Sequence, residues 1–344
     1  MPPDQHRRLT EWICSQLPDA SDIVVSEMRP PSSGGSNVTA LFDLHYRNPE
    51  PVTEKLVLRT IAPGRGLFPD YDLALQAGVM RALEPTPVPA ATVRWFEKDA
   101  AILDSPFIIM ERIEGETPTD SAPGFHGRGL FFEATEAERV DMWWAAMDQI
   151  IALQRLDWRT LDLPPPEGTA SPADEAMQQH VRLFEQYLDW TRLEPVPTIE
   201  RGLRWLRAAH APDDALVLTW GDARPGNIFY HHKQVAGLLD WELAAIGVPE
   251  ADIAYLIWSA AVLAETNGTP RLPGLPTREQ SWERYARLSG RGTDAIRFGE
   301  MFTLLRLSVM AVLGVAAKGL TATEYLNSNV TVTKLAEMLD EEDA

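Results

Sequence analysis

Cysteine is nearly missing from this chain: Cys14 is the only one in 344 residues. No intramolecular disulfide can form, and a cysteine cluster for zinc or iron–sulfur is excluded. Cys14 lies in the amphipathic stretch Leu9–Leu17 and reads as a packing residue rather than a nucleophile. Positive charge is also scarce, with 31 Lys and Arg against 50 Asp and Glu, a formal net charge of -19. Such a chain does not attract a nucleic-acid backbone through its overall field. The acidity would suit a cationic substrate, but solubility alone is the simpler account. No run reaches roughly 18 uninterrupted apolar residues, and Met1–Arg8 lacks the apolar core of a signal peptide, so the expected place is the cytoplasm, without a membrane partner. There is no Gly-x-Ser-x-Gly elbow, and Gly34-Gly35 is not followed by the Lys-Ser/Thr of a P-loop. The seven histidines form no metal-binding spacing, and His231-His232 reads as an exposed hairpin turn.

The length suits two domains or one two-lobed domain, and an apolar share of 45% allows a large core. After a first helix, residues 23–28, 38–46 and 54–61 read as strands, with a Pro/Ser/Gly loop at 30–37. That order predicts an antiparallel meander. A helix over 73–83 and strands over 93–96 and 107–111 complete a β-rich first third. Helical periodicity then dominates at 137–156, 174–193, 199–209 and 297–318. Trp143 and Trp144 fall in the first of these and read as packing residues. The acidic end, Asp340–Asp343, reads as a solvated tail. The fold class is therefore α+β, with two unequal lobes and a cleft between them: residues 1–112 and residues 113–344.

The chemistry concentrates in Trp220-Gly221-Asp222-Ala223-Arg224-Pro225-Gly226-Asn227 and, after a strand-like run, Leu239-Asp240-Trp241-Glu242. An Asp, an Asn five residues on and a second Asp suit phosphoryl transfer from a metal-bound nucleotide. Asp222 can receive the proton of an attacking hydroxyl, and Asn227 and Asp240 offer the oxygen ligands that magnesium takes. Arg224 either contacts substrate or phosphate, or braces the loop through an ion pair. Glu242 reads as local in role. Asp252 either caps a helix or anchors the catalytic loop from below.

These segments resemble aminoglycoside phosphotransferase-like (choline kinase-type) enzymes, which share the protein-kinase fold, and in particular the bacterial branch related to the kinase domain of some acyl-CoA dehydrogenase fusions. The resemblance also takes in Gly35-Ser36-Asn37, Val57-Leu58-Arg59, Ser105–Glu111 and Gly115. It implies Asp222 as catalytic base, Asn227 and Asp240 as magnesium ligands, and Arg59 at the place of the strand lysine that holds nucleotide phosphates. Lys55, four residues earlier on the same strand face, is the less favoured substitute. The resemblance further implies Ser36 and Asn37 as the turn over the phosphates, and Met110, Glu111 and Arg112 as a hinge whose backbone reads the base.

Three positions depart from the pattern. Trp220 stands for a His that is usually structural, Gln76 for a helix Glu that pairs with the strand cation, and Gln154 for another His. The expected function is transfer of the γ-phosphate of ATP or GTP, with Mg2+, to a hydroxyl of a small organic molecule, more in keeping with a non-aminoglycoside acceptor. The alternative is a nucleotide-binding pseudokinase or scaffold without turnover, which Gln76 and Trp220 keep open.

Overall fold

The computed structural model describes residues 1–30, 38–61, 66–161, 163, 171–321 and 323–343. The chain starts with helix α1 (Pro3–Gln16) and strands β1 (Ser21–Val25), β2 (Val38–Arg47) and β3 (Pro51–Thr60). Helix α2 (Leu73–Leu83) and strands β4 (Val93–Glu97) and β5 (Phe107–Glu111) follow. The strands form one antiparallel sheet in the order β1-β2-β3-β5-β4, so the meander expected from the sequence is present.

Side chains alternate across a strand, and this decides which residues reach the cleft. Phe42, Leu44, Leu56, Leu58, Phe107 and Ile109 are fully buried on one face, against Leu9 and Ile13 of α1. Arg59, next to Leu58, must therefore point to the other face. That face carries α2 and looks toward the helical lobe. Cys14 does not pack. It is exposed, because the apolar stripe of α1 runs through Leu9 and Ile13, and Cys14 lies one residue out of step with it.

The second lobe is helical. It contains the single turn α3 (Leu130–Glu133), then α4 (Glu136–Gln154), α5 (Pro172–Thr191) and α6 (Pro197–Ala208). A short strand β6 (Val217–Thr219) pairs with β9 (Ala245–Gly247), and β7 (Ile228–His231) forms a hairpin with β8 (Gln234–Leu238). His231 and His232 are exposed at that turn, as expected, with His232 and Lys233 both in the left-handed region. Helices α7 (Glu250–Thr266), α8 (Arg278–Ser289), α9 (Thr293–Ala317), α10 (Thr323–Asn327) and α11 (Val330–Glu342) close the lobe. An isolated bridge, Glu116 to Tyr230, joins the segment after β5 to β7.

Helix α9 is the spine of this lobe. By length and composition it could cross a membrane, yet most of its apolar window is buried inside the protein. It also carries Glu300, which is buried and accepts from Trp258 and Trp282 at 3.2 and 2.7 Å while pairing with Arg278. These are marks of a core helix rather than a lipid-facing one. Trp143, at 2% exposure, is core as expected, and its indole N–H donates to Ser281 Oγ at 3.1 Å.

The acidic end is not a free tail. Asp340 and Asp343 pair with Arg201 at 2.6 and 2.5 Å, and Glu341 and Glu342 pair with Arg297 at 3.3 and 2.8 Å. Acids at a helix C-terminus oppose its dipole, and these arginines from α6 and α9 offset that opposition.

Helix α9 approaches the start of α7 at Gly299, where an added Cβ would strike the Cβ and backbone of Glu250. The close approach fixes α9 against the turn that bears Asp252. Gly299→Ala should therefore lower stability by about 1–3 kcal/mol through overpacking, measured as a lower denaturation midpoint at unchanged m-value.

Candidate active site

The loop from Trp220 to Asn227 leaves β6 and ends in a single 3-10 turn, Pro225–Asn227, that leads into β7. Its entry is fixed by Asp252, which is fully buried on the first turn of α7. The two carboxylate oxygens accept from the Trp220 N–H at 2.6 Å and the Gly221 N–H at 2.9 Å. Of the two roles open for Asp252, the structure thus shows the anchor of the catalytic loop. Burial raises the Asp252 pKa, and the Gly221 and Trp220 N–H groups oppose that rise. Gly221 has φ 92°, and any Cβ there would overlap the Leu243 carbonyl. This position in the signature therefore requires glycine.

The Asp222 carboxylate is held asymmetrically. Its Oδ2 accepts from Asn227 Nδ2 at 2.8 Å and Arg224 Nε at 3.1 Å, whereas Oδ1 is buried with no hydrogen-bond partner. Asn227 Nδ2 also donates to the Asp222 carbonyl at 3.0 Å. Both Asn227 contacts use the amide nitrogen, so its Oδ1 is left for a ligand. Arg224 continues to Asp120, which it also ion-pairs. Burial works against the Arg224 charge, but Asp222 and then Asp120 outweigh it and raise its pKa. Asp120 is held above its usual range by burial first, with Asp222 adding and Arg224 opposing. Of the two roles open for Arg224, the geometry shows the brace. Asp120 lies in a loop far upstream, with no local pattern to single it out.

Asp240 lies beside this group. The Leu239 N–H donates to the Asn227 carbonyl at 2.9 Å, and Ile228 pairs with Leu238 in the hairpin, so the two expected metal ligands flank the open end of one hairpin. Asp240 has φ 64°, in the left-handed region that Asp tolerates better than most residues. Trp220 ties the two loops together: its indole N–H donates to the Leu239 carbonyl at 2.7 Å, and its ring lies 5.9 Å from that of Trp241. The residue in place of a structural His thus has a structural role of its own.

Arg59 reaches across the cleft to Asp240, and to Glu242 at 3.3 Å. Burial opposes its charge, and Asp240 and Glu242 raise its pKa above the ordinary value despite that. Glu242 is therefore not local in role; it pairs between lobes. Gln76 makes no bond to Arg59. It is buried in α2 with its Nε2 unpartnered, and the acids facing the strand cation come from the helical lobe instead. Lys55, on the central strand β3, pairs with Glu114 at 2.6 Å rather than with this group. Gln154 donates to the Pro249 carbonyl at 2.5 Å and accepts from Tyr285 at 3.1 Å, fixing α4 to the entry of α7.

The hinge donors need correction. The Glu111 N–H donates to the Thr92 carbonyl and the Arg112 N–H to the Lys55 carbonyl, both at 2.9 Å. The Arg112 guanidinium turns to Asp43 at 3.2 Å, on the sheet surface. The sheet consumes these groups because β5 has neighbours on both sides. Among the described residues, the first main-chain donor beyond them without a hydrogen-bond partner is Ile113 N–H. Ser36 and Asn37 lie outside the described residues.

Among the described residues no three His, Cys, Asp or Glu side chains gather as a metal cage. The donor set fits magnesium nonetheless, since that ion takes few protein oxygens beside phosphate and water. The free Asn227 Oδ1 and the Asp240 carboxylate supply such oxygens.

A β-sheet lobe over a helical lobe, with an Asp–Asn–Asp group on two loops of the cleft, is the architecture of protein-kinase-like phosphotransferases. The model of the phosphotransferase enzyme family (APH) matches residues 27–288, and the chain belongs to that family. Acyl-CoA dehydrogenase family member 11 of Homo sapiens is 27% identical over 282 residues, covering 79% of this chain and 34% of that protein. The chain thus spans about a third of that relative's length. A Ralstonia eutropha structure assigned as an aminoglycoside phosphotransferase superposes with a TM-score of 0.68 at 21% identity, covering 98% of this chain and 97% of the other. A thermostable mutant of aminoglycoside phosphotransferase APH(4)-Ia, in a ternary complex with ADP and hygromycin B, gives a TM-score of 0.59 at 13% identity, over 98% and 99% of the two chains. At these identities the solved structures establish a shared fold.

Asp252→Ala leaves two buried main-chain N–H groups without an acceptor. Stability should fall by roughly 2–4 kcal/mol, read by urea denaturation, whereas Asp252→Asn, which keeps one acceptor oxygen, should lose less.

Proposed function

We propose that this chain is a magnesium-dependent small-molecule kinase that transfers the γ-phosphate of ATP or GTP to an alcohol. The observation that carries this reading is the divided Asp222 carboxylate. One oxygen is fixed by two donors, and the other is buried, unpartnered and beside the pair Asn227 and Asp240.

Asp222 Oδ1 accepts the O–H of the acceptor and orients its oxygen toward the γ-phosphorus. As the new P–O bond forms, the bond from the γ-phosphorus to the β,γ-bridging oxygen breaks, and its electron pair leaves with the nucleoside diphosphate. The hydroxyl proton passes to Asp222 Oδ1. Arg224 and Asn227 keep the carboxylate from rotating, which preserves alignment. Asn227 Oδ1 and Asp240 would hold magnesium, whose charge when bound offsets that of the phosphates. Arg59 already directs its guanidinium at Asp240 and Glu242. From there its fork of donors could hold a phosphate oxygen. Near the base, the Ile113 N–H remains for the nucleobase edge. An aminoglycoside acceptor is not favoured.

A pseudokinase would keep these loops as a binding surface only, but the internal bonding of Asp222 leaves the atom needed for proton transfer free. Asp222→Asn should reduce transfer by about 100- to 10,000-fold and leave Mg-ATP affinity within a few-fold of wild type. Turnover can be followed by the mass shift of hydroxyl compounds, and affinity by calorimetry. Unchanged turnover would overturn the base assignment. Asp240→Ala should instead weaken Mg-ATP binding on the order of 10- to 100-fold; calorimetry showing equal affinity would remove Asp240 from the metal site.

A further inference from the structure

One nitrogen of Arg59 serves two acids. Its Nη2 donates both to Asp240 Oδ1 and to Glu242 Oε2, the latter at 3.3 Å, and Nε of the same guanidinium is buried with no hydrogen-bond partner. The backbone that carries Arg59 is fixed on both sides, paired with Thr39 of β2 and Ile108 of β5. One guanidinium thus faces two carboxylates, and the set carries one negative charge in surplus. That surplus is what a metal ion would draw on. With a single acid opposite Arg59 the pair would be neutral, and the metal would have to compete for it.

The two acids are not equivalent. Glu242 has the more enclosed side chain, 6% exposed against 16% for Asp240. Magnesium dehydrates reluctantly and keeps several waters, which favours the more open Asp240. Glu242 also stands on firm support, as the middle residue of the single turn Trp241–Leu243. The Trp241 indole N–H donates to the Leu238 carbonyl at 3.1 Å, the Leu243 carbonyl abuts Gly221, and α2 of the small lobe packs on the turn. Two cations that share one carboxylate repel each other and divide its charge. A second, enclosed acid on the same Arg59 nitrogen removes that conflict.

Resting on the phosphotransfer reading, we propose that Glu242 is a positioning residue that keeps Arg59 in the cleft when Asp240 turns to magnesium. Arg59 stays on Glu242 through Nη2 and has its remaining donors for the phosphates. Glu242 touches neither metal nor substrate and acts through Arg59 alone.

The test reads binding without turnover. Calorimetry on the full chain gives the affinity for Mg-AMP-PNP and, in EDTA, for AMP-PNP alone. Their ratio measures the coupling between metal and nucleotide. Glu242→Gln keeps the shape and an acceptor oxygen but removes the charge. It should lower the ratio by about 10-fold, with weaker binding of Mg-AMP-PNP and no weakening for AMP-PNP alone. A merely structural loss would weaken both and leave the ratio where it was. In an Arg59→Met background the same substitution should change the ratio by less than about 2-fold, since no guanidinium remains to claim Asp240. Urea denaturation checks each variant; if Arg59→Met does not fold, Arg59→Gln replaces it. If that background binds nucleotide too weakly, the cycle is repeated with Mn2+ alone, read by electron paramagnetic resonance. A ratio unchanged in Glu242→Gln overturns the inference. An equal drop in both backgrounds also overturns it, and makes Glu242 a metal ligand. Both results leave phosphotransfer standing when wild type phosphorylates a hydroxyl compound. The expected pattern with no transfer by wild type sustains the Glu242 assignment and overturns phosphotransfer. Nucleotide binding by wild type that ignores Mg2+ overturns both.

Discussion

The catalytic loop hangs from one buried carboxylate. Asp252 holds consecutive main-chain N–H groups of Trp220 and Gly221, and everything beyond them follows from that fixed start. Gly221 turns with a positive φ, Asp222 enters the cleft, Arg224 and Asn227 clasp one of its oxygens, and the strand that follows brings Asp240 alongside. Low dielectric strengthens each of these bonds and makes any unpaired member expensive. The loop is thus stiff where alignment matters, and its unsatisfied atom, Asp222 Oδ1, is the one to which the proposed mechanism gives the proton.

A second constraint acts between lobes. β-alternation sends Arg59 out of the sheet core, and the acids that meet it, Asp240 and Glu242, come from the opposite side of the cleft. In place of a cation fixed by its own lobe, this chain has one shared across the interface. Gln76 is compatible with that arrangement because the countercharge no longer depends on α2.

Much of the fold was legible because its signals are local. Alternating apolar residues marked β2 and β3, and helical periodicity marked α4, α5, α6 and α9. The Asp222–Asn227–Asp240 order was legible for the same reason, being compressed into a loop and a hairpin. What escaped was whatever depends on remote partners. Asp120 is one acid among many until Arg224 reaches it. Glu242 read as local because nothing in its own segment points at Arg59. The hinge donors of Glu111 and Arg112 looked available until the sheet register assigned them to Thr92 and Lys55. The acidic end looked solvated because Arg201 and Arg297 are far away in sequence. Cys14 read as packed because the periodicity of α1 was followed one residue off its true stripe.

The excess of carboxylates over the whole chain has a kinetic corollary. On the proposed reading, nucleoside triphosphates approach against that field. Where a steered enzyme slows as salt is added, this one should capture its partners faster, because a shorter Debye length hides the repelling surface while the paired charges in the cleft are little screened. Ionic strength then becomes an accelerator of encounter, and dilute buffer the condition under which the enzyme works least well.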